Sequence, residues 1–290
     1  SIKPDYPEAH NNLGNVLREL GMFHEAVNSY QKALATNSRY VPALLNLGAT
    51  RGKLGMMKEA IISYQEALLI EPESADAHYN LGDVFQEVGQ LQDAMKSYKK
   101  ALSNNPKFAR AHNNLGGIFL ALGDPKEAAR CCERAIEINP EYAEAYNNLG
   151  IALQDLGQLN EAVKKFQTSL KIRPDYLGAF GNMSLALTSM CYEILTGTGD
   201  TSTIEQIIDD LPTSLETDII WFRLKSVIDG DTLSAWEKIT QNIPSRRSET
   251  ISKDDNLVSV SHNHREDKPP AETVALLHFG RSWSGFVHSL

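Results

Sequence analysis

The sequence predicts an all-α fold, an array of stacked helix pairs, and three observations predict it. Leu-Gly pairs recur every 34 residues, at Leu13-Gly14, Leu47-Gly48, Leu81-Gly82, Leu115-Gly116 and Leu149-Gly150. A fixed period of that length is that of a helix–turn–helix unit used repeatedly. Small residues and large rings keep their own offsets within each unit, as paired helices packing closely require. Glycines and prolines punctuate the units where helices have to stop.

The units run 7–40, 41–74, 75–108, 109–142 and 143–176, with a partial sixth from Leu177. A first helix carries the Leu-Gly pair and ends at Gly21, Gly55, Gly89, Gly123 and Gly157, where a left-handed cap is expected. A second helix follows, with Ala26, Ala60, Ala94, Ala128 and Ala162 at one offset. Ala33, Ala67, Ala101, Ala135 and then Ser169 share another. Tyr30, Tyr64, Tyr98 and Phe166 place a ring between them, expected to fill the gap between units, with Cys132 as the exception. Pro72, Pro106, Pro140 and Pro174 close the units, because proline cannot continue a helix, and Ser38 takes that place in the first.

The period breaks after 176. Asn182-Met183-Ser184 stands where Asn-Leu-Gly is expected, and no second-helix signature follows. The array is therefore assigned to 1–190. Helical patterns resume within 191–243, after the connector Gly197-Thr198-Gly199-Asp200, and would cap the array's last edge as solenoids require. Residues 244–271 are polar and nearly charge-balanced and read as a linker. Residues 273–279 form an apolar, β-prone run suited to a buried strand. The loop Gly280-Arg281-Ser282-Trp283-Ser284-Gly285 and a candidate helix start, 286–290, follow. The expectation is an isolated strand–loop–helix opening of a truncated α/β domain over 272–290.

The order of small, Leu-Gly, aromatic, Ala, aromatic, Ala and Pro positions over 1–190 resembles the tetratricopeptide repeat family. The resemblance implies a right-handed superhelix whose first helices line a concave groove that binds a peptide or protein. Asn12, Asn46, Asn80, Asn114, Asn148 and Asn182 share the offset just before the Leu-Gly pair and would face that groove. A primary amide both donates and accepts, so each could pair with a peptide unit whatever its side chain. Helices stacked ~8–10 Å apart would meet an extended peptide roughly every third residue. The array of O-linked N-acetylglucosamine transferase is similar in this asparagine row. The same amides could instead bond neighbouring helices, and both readings stand at this point.

Other family members clamp C-terminal carboxylates with lysine and arginine. Here the corresponding offsets hold Asn11, Leu45, Tyr79, Asn113 and Asn147, and Asn15, Ala49, Asp83, Gly117 and Ile151, with no lysine, so chaperone tails are not the expected ligand. Asp83, Gln86, Glu87, Gln154 and Asp155 lean acidic and favour a basic or polar peptide. His10, His78 and His112 share an offset, but copies ~10 Å apart cannot share an ion whose ligands each sit at ~2.1 Å, so packing explains them better. His262-Asn263-His264 lacks partnering ligands.

Gly280 and Gly285 have Walker A spacing, but Phe286-Val287 stands where Lys-Ser/Thr is needed, which disfavours ATP or GTP hydrolysis. The run resembles instead the 5′-phosphosulfate loop of sulfotransferases. That resemblance implies that Arg281 neutralises 3′-phosphoadenylyl sulfate, with Ser282, Ser284 and backbone amides, including that of Trp283, holding its oxygens between Gly280 and Gly285. Trp283 departs from the family's usual glycine. The 3′-phosphate site, acceptor pocket and base would lie beyond Leu290, so the chain is expected to act as a non-catalytic scaffold with no cofactor of its own. The alternatives are the array of an O-linked N-acetylglucosamine transferase-like enzyme, or a pure adaptor.

A net charge of −9 and a pI near 5.4 argue against a nucleic-acid platform. No apolar run reaches the ~20 residues of a membrane helix. Three cysteines, Cys131, Cys132 and Cys191, suit a reducing, cytoplasmic setting and give neither a disulfide framework nor a metal site.

Overall fold

Each described unit is a helical hairpin whose elbow is set by one glycine. The structure is a computed structural model and describes residues 6–195. The expected capping helices past 195, the linker, and the 272–290 segment with its 280–285 loop lie outside the described residues. The five hairpins are α1 (Pro7–Glu19) with α2 (Phe23–Thr36), α3 (Val41–Lys53) with α4 (Met57–Ile70), α5 (Ala75–Glu87) with α6 (Leu91–Asn104), α7 (Ala109–Ala121) with α8 (Pro125–Ile138), and α9 (Ala143–Asp155) with α10 (Leu159–Ile172). A final helix, α11 (Leu177–Leu195), follows. Consecutive helices pack on one another, and each first helix also touches the second helix of the unit before it.

The helix ends follow from local chemistry. Proline occupies the first turn of α1, α3 and α8, where its missing N–H costs nothing. Ser74 and Asp124 cap α5 and α8 by accepting from the amides of Ala77 and Glu127. At the elbows, Gly21, Gly55, Gly89, Gly123 and Gly157 all have φ between 74 and 77°. There the Met22 amide donates to Leu17 O at 2.8 Å and the Gly21 amide to Arg18 O at 3.0 Å, the Schellman pairing that satisfies the last carbonyls. The same bond recurs from Met56, Gln90, Asp124 and Gln158.

α11 is 19 residues long where the other first helices have 13. Position 191, where the sixth elbow glycine would fall, is Cys191. Without a residue suited to the left-handed cap, the helix runs on past the expected array boundary at 190.

The core is a column of alanines and rings. Ala26, Ala60, Ala94, Ala128 and Ala162 are fully buried, as are Tyr30, Tyr98 and Phe166. A Cβ on Gly14 would lie 2.5 Å from the Tyr30 ring, and one on Gly150 would lie 2.5 Å from Phe166. Each ring therefore roofs the glycine of its own hairpin. It also reaches the next unit, since Tyr30 clusters with Leu47, Tyr64 with Leu81, and Tyr98 with Leu115. The gap between units is thus only half of what the ring fills. In the fourth unit the buried Cys132 takes the ring's place over Gly116, and burial pushes its thiol up to about 12, which suits an inert packing role.

Candidate functional site: the face of the first helices

The first helices are tied to one another by side-chain amides, on a 35-residue spacing. Asn46 Nδ2 donates to Asn11 Oδ1 at 3.0 Å, Asn148 Nδ2 to Asn113 Oδ1 at 3.0 Å, and Asn182 Nδ2 to Asn147 Oδ1 at 2.9 Å. The acceptors Asn11, Asn113 and Asn147 are buried, while the donors are half-buried. A buried amide needs a partner, and each donor supplies it from the following unit. The structure thus brings four of the predicted asparagines (Asn46, Asn114, Asn148 and Asn182) into a cross-unit ladder. The residues that complete it lie one offset earlier in the preceding unit.

Two rungs depart from the pattern. Asn80 faces an offset occupied by Leu45, which has nothing to accept with, and among the described residues its amide makes no hydrogen bond. Asn12, in the first unit, is exposed.

Asn114 meets Tyr79 where other units place asparagine or leucine. Its Nδ2 donates to Tyr79 Oη at 3.1 Å and to Asp83 Oδ1 at 2.9 Å. The Tyr98 hydroxyl reaches the same Asp83 oxygen at 2.7 Å and Gln86 Oε1 at 2.8 Å. Tyr79 is buried against Phe108 (ring centroids 4.8 Å apart) and Tyr98 (5.8 Å), with the Arg110 guanidinium 4.9 Å above it. Unlike α7 and α9, or α1 and α3, helices α5 and α7 do not pack closely backbone to backbone.

Burial governs the electrostatics of this spot. It raises the Asp83 carboxyl above its ordinary value, against the opposing pull of hydrogen bonds from Tyr98 and Asn114. It pushes the Tyr79 phenol up to about 12 and, with the Asp83 charge, drives Tyr98 higher still.

Two of the three histidines at the shared offset, His78 and His112, have a structural task that packing alone does not describe. Nε2 of His78 lies 3.0 Å from Pro72 O, and that of His112 lies 3.1 Å from Pro106 O. A carbonyl only accepts, so each ring donates and closes the turn that precedes its helix. The proline six residues upstream was the available signal. Among the described residues no group of histidine, cysteine or acidic side chains could hold a metal, and no helix is long and apolar enough to cross a membrane.

Models of the tetratricopeptide repeat match residues 7–40 and 75–108, a second such model matches 107–175, and a TPR repeat model matches 53–89. A solved structure of MamA is 30% identical, with a TM-score of 0.52, and the match covers 56% of this chain and 94% of that one. YrrB, described as a TPR protein with an unusual peptide-binding site, is 24% identical over 62% of this chain and 92% of its own, at a TM-score of 0.52. A thermophilic TPR protein of Thermus thermophilus is 23% identical, over 63% of this chain and all of its own, at 0.50. A comparison with curated proteins finds no match.

Proposed function

Because the chain belongs to the tetratricopeptide repeat family, we propose that its first-helix face binds an extended stretch of a partner protein. The observation that supports this most is the asparagine ladder. Its rungs recur at 34-residue intervals, and most are held in fixed orientation by a bond to the preceding unit. An amide already oriented loses little rotamer freedom when it meets a ligand. Asn80, whose amide is uncommitted, is the rung best able to donate to a peptide carbonyl. The peptide-binding site ascribed to YrrB lends the reading plausibility as a family habit.

The test is replacement of Asn80, Asn114 and Asn148 by alanine, followed by titration with a partner peptide and measurement of helix content. Binding that weakens while helicity persists supports the reading. Unchanged affinity removes it.

The loop Gly280–Gly285 favours a second element of the reading, a sulfotransferase parent using 3′-phosphoadenylyl sulfate, with the repeats presenting acceptor or partner. Arg281 is its best single probe. In protein that includes any sequence following Leu290, Arg281→Ala should lower affinity for adenosine 3′,5′-bisphosphate at least tenfold, since a guanidinium-to-phosphate contact is lost. A nucleotide-sugar domain downstream would point to the glycosyltransferase alternative instead.

A further inference from the structure

We infer that Asp83 and the open space beside it form a docking notch for one arginine side chain of the bound polypeptide, which would set the register of that polypeptide along the first-helix face. The inference rests on the peptide-binding reading above and makes its ligand specific.

Along the face, the offset of Asp83 is filled by Asn15, Ala49, Asp83, Gly117 and Ile151. The sole carboxylate of this row is therefore flanked by its two smallest residues. A Cβ placed on Gly117 would meet nothing within 4 Å. Asn114, three residues before Gly117 on α7, donates to Asp83 at 2.9 Å, so that open space lies within a helical turn of the carboxylate's partner.

Asp83 has no charged donor at this spot: it accepts from the Tyr98 hydroxyl at 2.7 Å and the Asn114 amide at 2.9 Å, both neutral. Among the described residues no lysine, arginine or histidine is in ion-pair reach of Asp83. Arg110, stacked over the Tyr79 ring, exerts only a weaker, longer-range pull on it. A half-buried carboxylate without a paired counter-charge is matched by a cation that brings several N–H groups.

Guanidinium fits better than ammonium, because its planar fork of five donors can serve Asp83 and Gln86 together. No other unit repeats the combination, so a single arginine would fix the register of a chain that the asparagines grip without regard to sequence.

The test uses the full chain, with ¹⁵N spectra recorded during titration by a capped Gly-Ser nonapeptide carrying one central arginine, and by its citrulline counterpart. The expected result is saturable movement of the Gly117 and Asp83 amide signals by the arginine peptide, with at least tenfold weaker affinity for citrulline. Asp83→Asn should reduce the arginine peptide to the citrulline level. Gly117→Met should do the same by filling the space, and should raise the melting temperature because glycine leaves a helix interior. Loss of binding in a better-folded variant cannot be ascribed to unfolding. Equal affinity for the two peptides, or arginine binding that survives both variants, overturns the notch while leaving peptide binding intact if the first-helix signals still move. Signals that move only on the second helices, or not at all, overturn the notch and count against the peptide face as well.

Discussion

The junction between the third and fourth units and the two junctions that follow it solve one problem in two ways. In both regions a first helix needs polar contact with its predecessor. Between α7 and α9, and between α9 and α11, one asparagine reaches back to another, and the helices draw close. Between α5 and α7 the acceptor position holds Tyr79, the rung becomes a cluster of Asn114, Tyr79, Asp83 and Tyr98, and the helix backbones do not pack closely. The plain tie thus gives way to a polar cluster where the acceptor changes from asparagine to tyrosine, with no change in the hairpins themselves. An array of near-identical units acquires a distinct place by altering one contact.

The largest expected effect that tests this contrast is on stability. Tyr79→Ala removes a buried ring packed on two others and should cost about 3–5 kcal/mol. Asn113→Ala removes its bonds to Asn148 and Asn114 and should cost about 1–2 kcal/mol. Urea denaturation, with hydrogen exchange to localise the loss, reads both. Similar costs would break the distinction between buried ring and tie.

A second pair of variants should differ in sign. Gly150→Ala drives a methyl into Phe166 and should destabilise by about 1–3 kcal/mol. Gly117→Ala, in open space on an equivalent helix, should stabilise by up to about 1 kcal/mol. Thermal melting that moves both the same way contradicts the packing described for the two glycines.

Smaller still is the difference among rungs. Asn148→Ala should cost about 1 kcal/mol because Asn113 Oδ1 loses its donor. Asn80→Ala should fall within about 0.5 kcal/mol of zero, since Leu45 offers no bond to lose. Equal costs would mean that the ladder is not what joins the units.

The subtlest test uses pH. The folded-state pKa of Asp83 is raised by burial, so folding disfavours its ionised form. Its ionisation therefore lowers stability as pH climbs from the unfolded-state value through the raised folded one. Asp83→Asn should melt higher than the parent protein at pH 7, and that advantage should shrink below the ordinary carboxylate pKa. An advantage that grows on acidification would show the carboxylate to be stabilising when charged.

The hairpins were legible in the sequence because their limits are local. A glycine forced to positive φ, a proline that cannot extend a helix, and an alanine under a ring each act within one unit, and 34-residue repetition multiplies the signal. The ladder was legible only in part. The donors stood out as a column, but their acceptors lie at a 35-residue spacing and change identity from Asn11 to Leu45 to Tyr79. Which rung is free and which is bound depends on that pairing between units. The surroundings of Asp83 were least visible, because they combine its bond to Asn114 on the next helix with the missing side chain of Gly117 there. The long α11 shows the converse, a helix whose end was misplaced because its stop residue is Cys191.

The changing identity of the ladder's acceptors also bears on how such a chain avoids misassembly. Modules this alike could stack out of order, or swap between molecules during folding. Placing α7 against α3 in place of α5 would set Asn114 opposite Leu45 and strand Asp83 without its amide donor. Orphaned polar groups of that kind cost about 1–3 kcal/mol each. The ladder thus works as an address system, in which every hairpin recognises its own neighbour among near-duplicates.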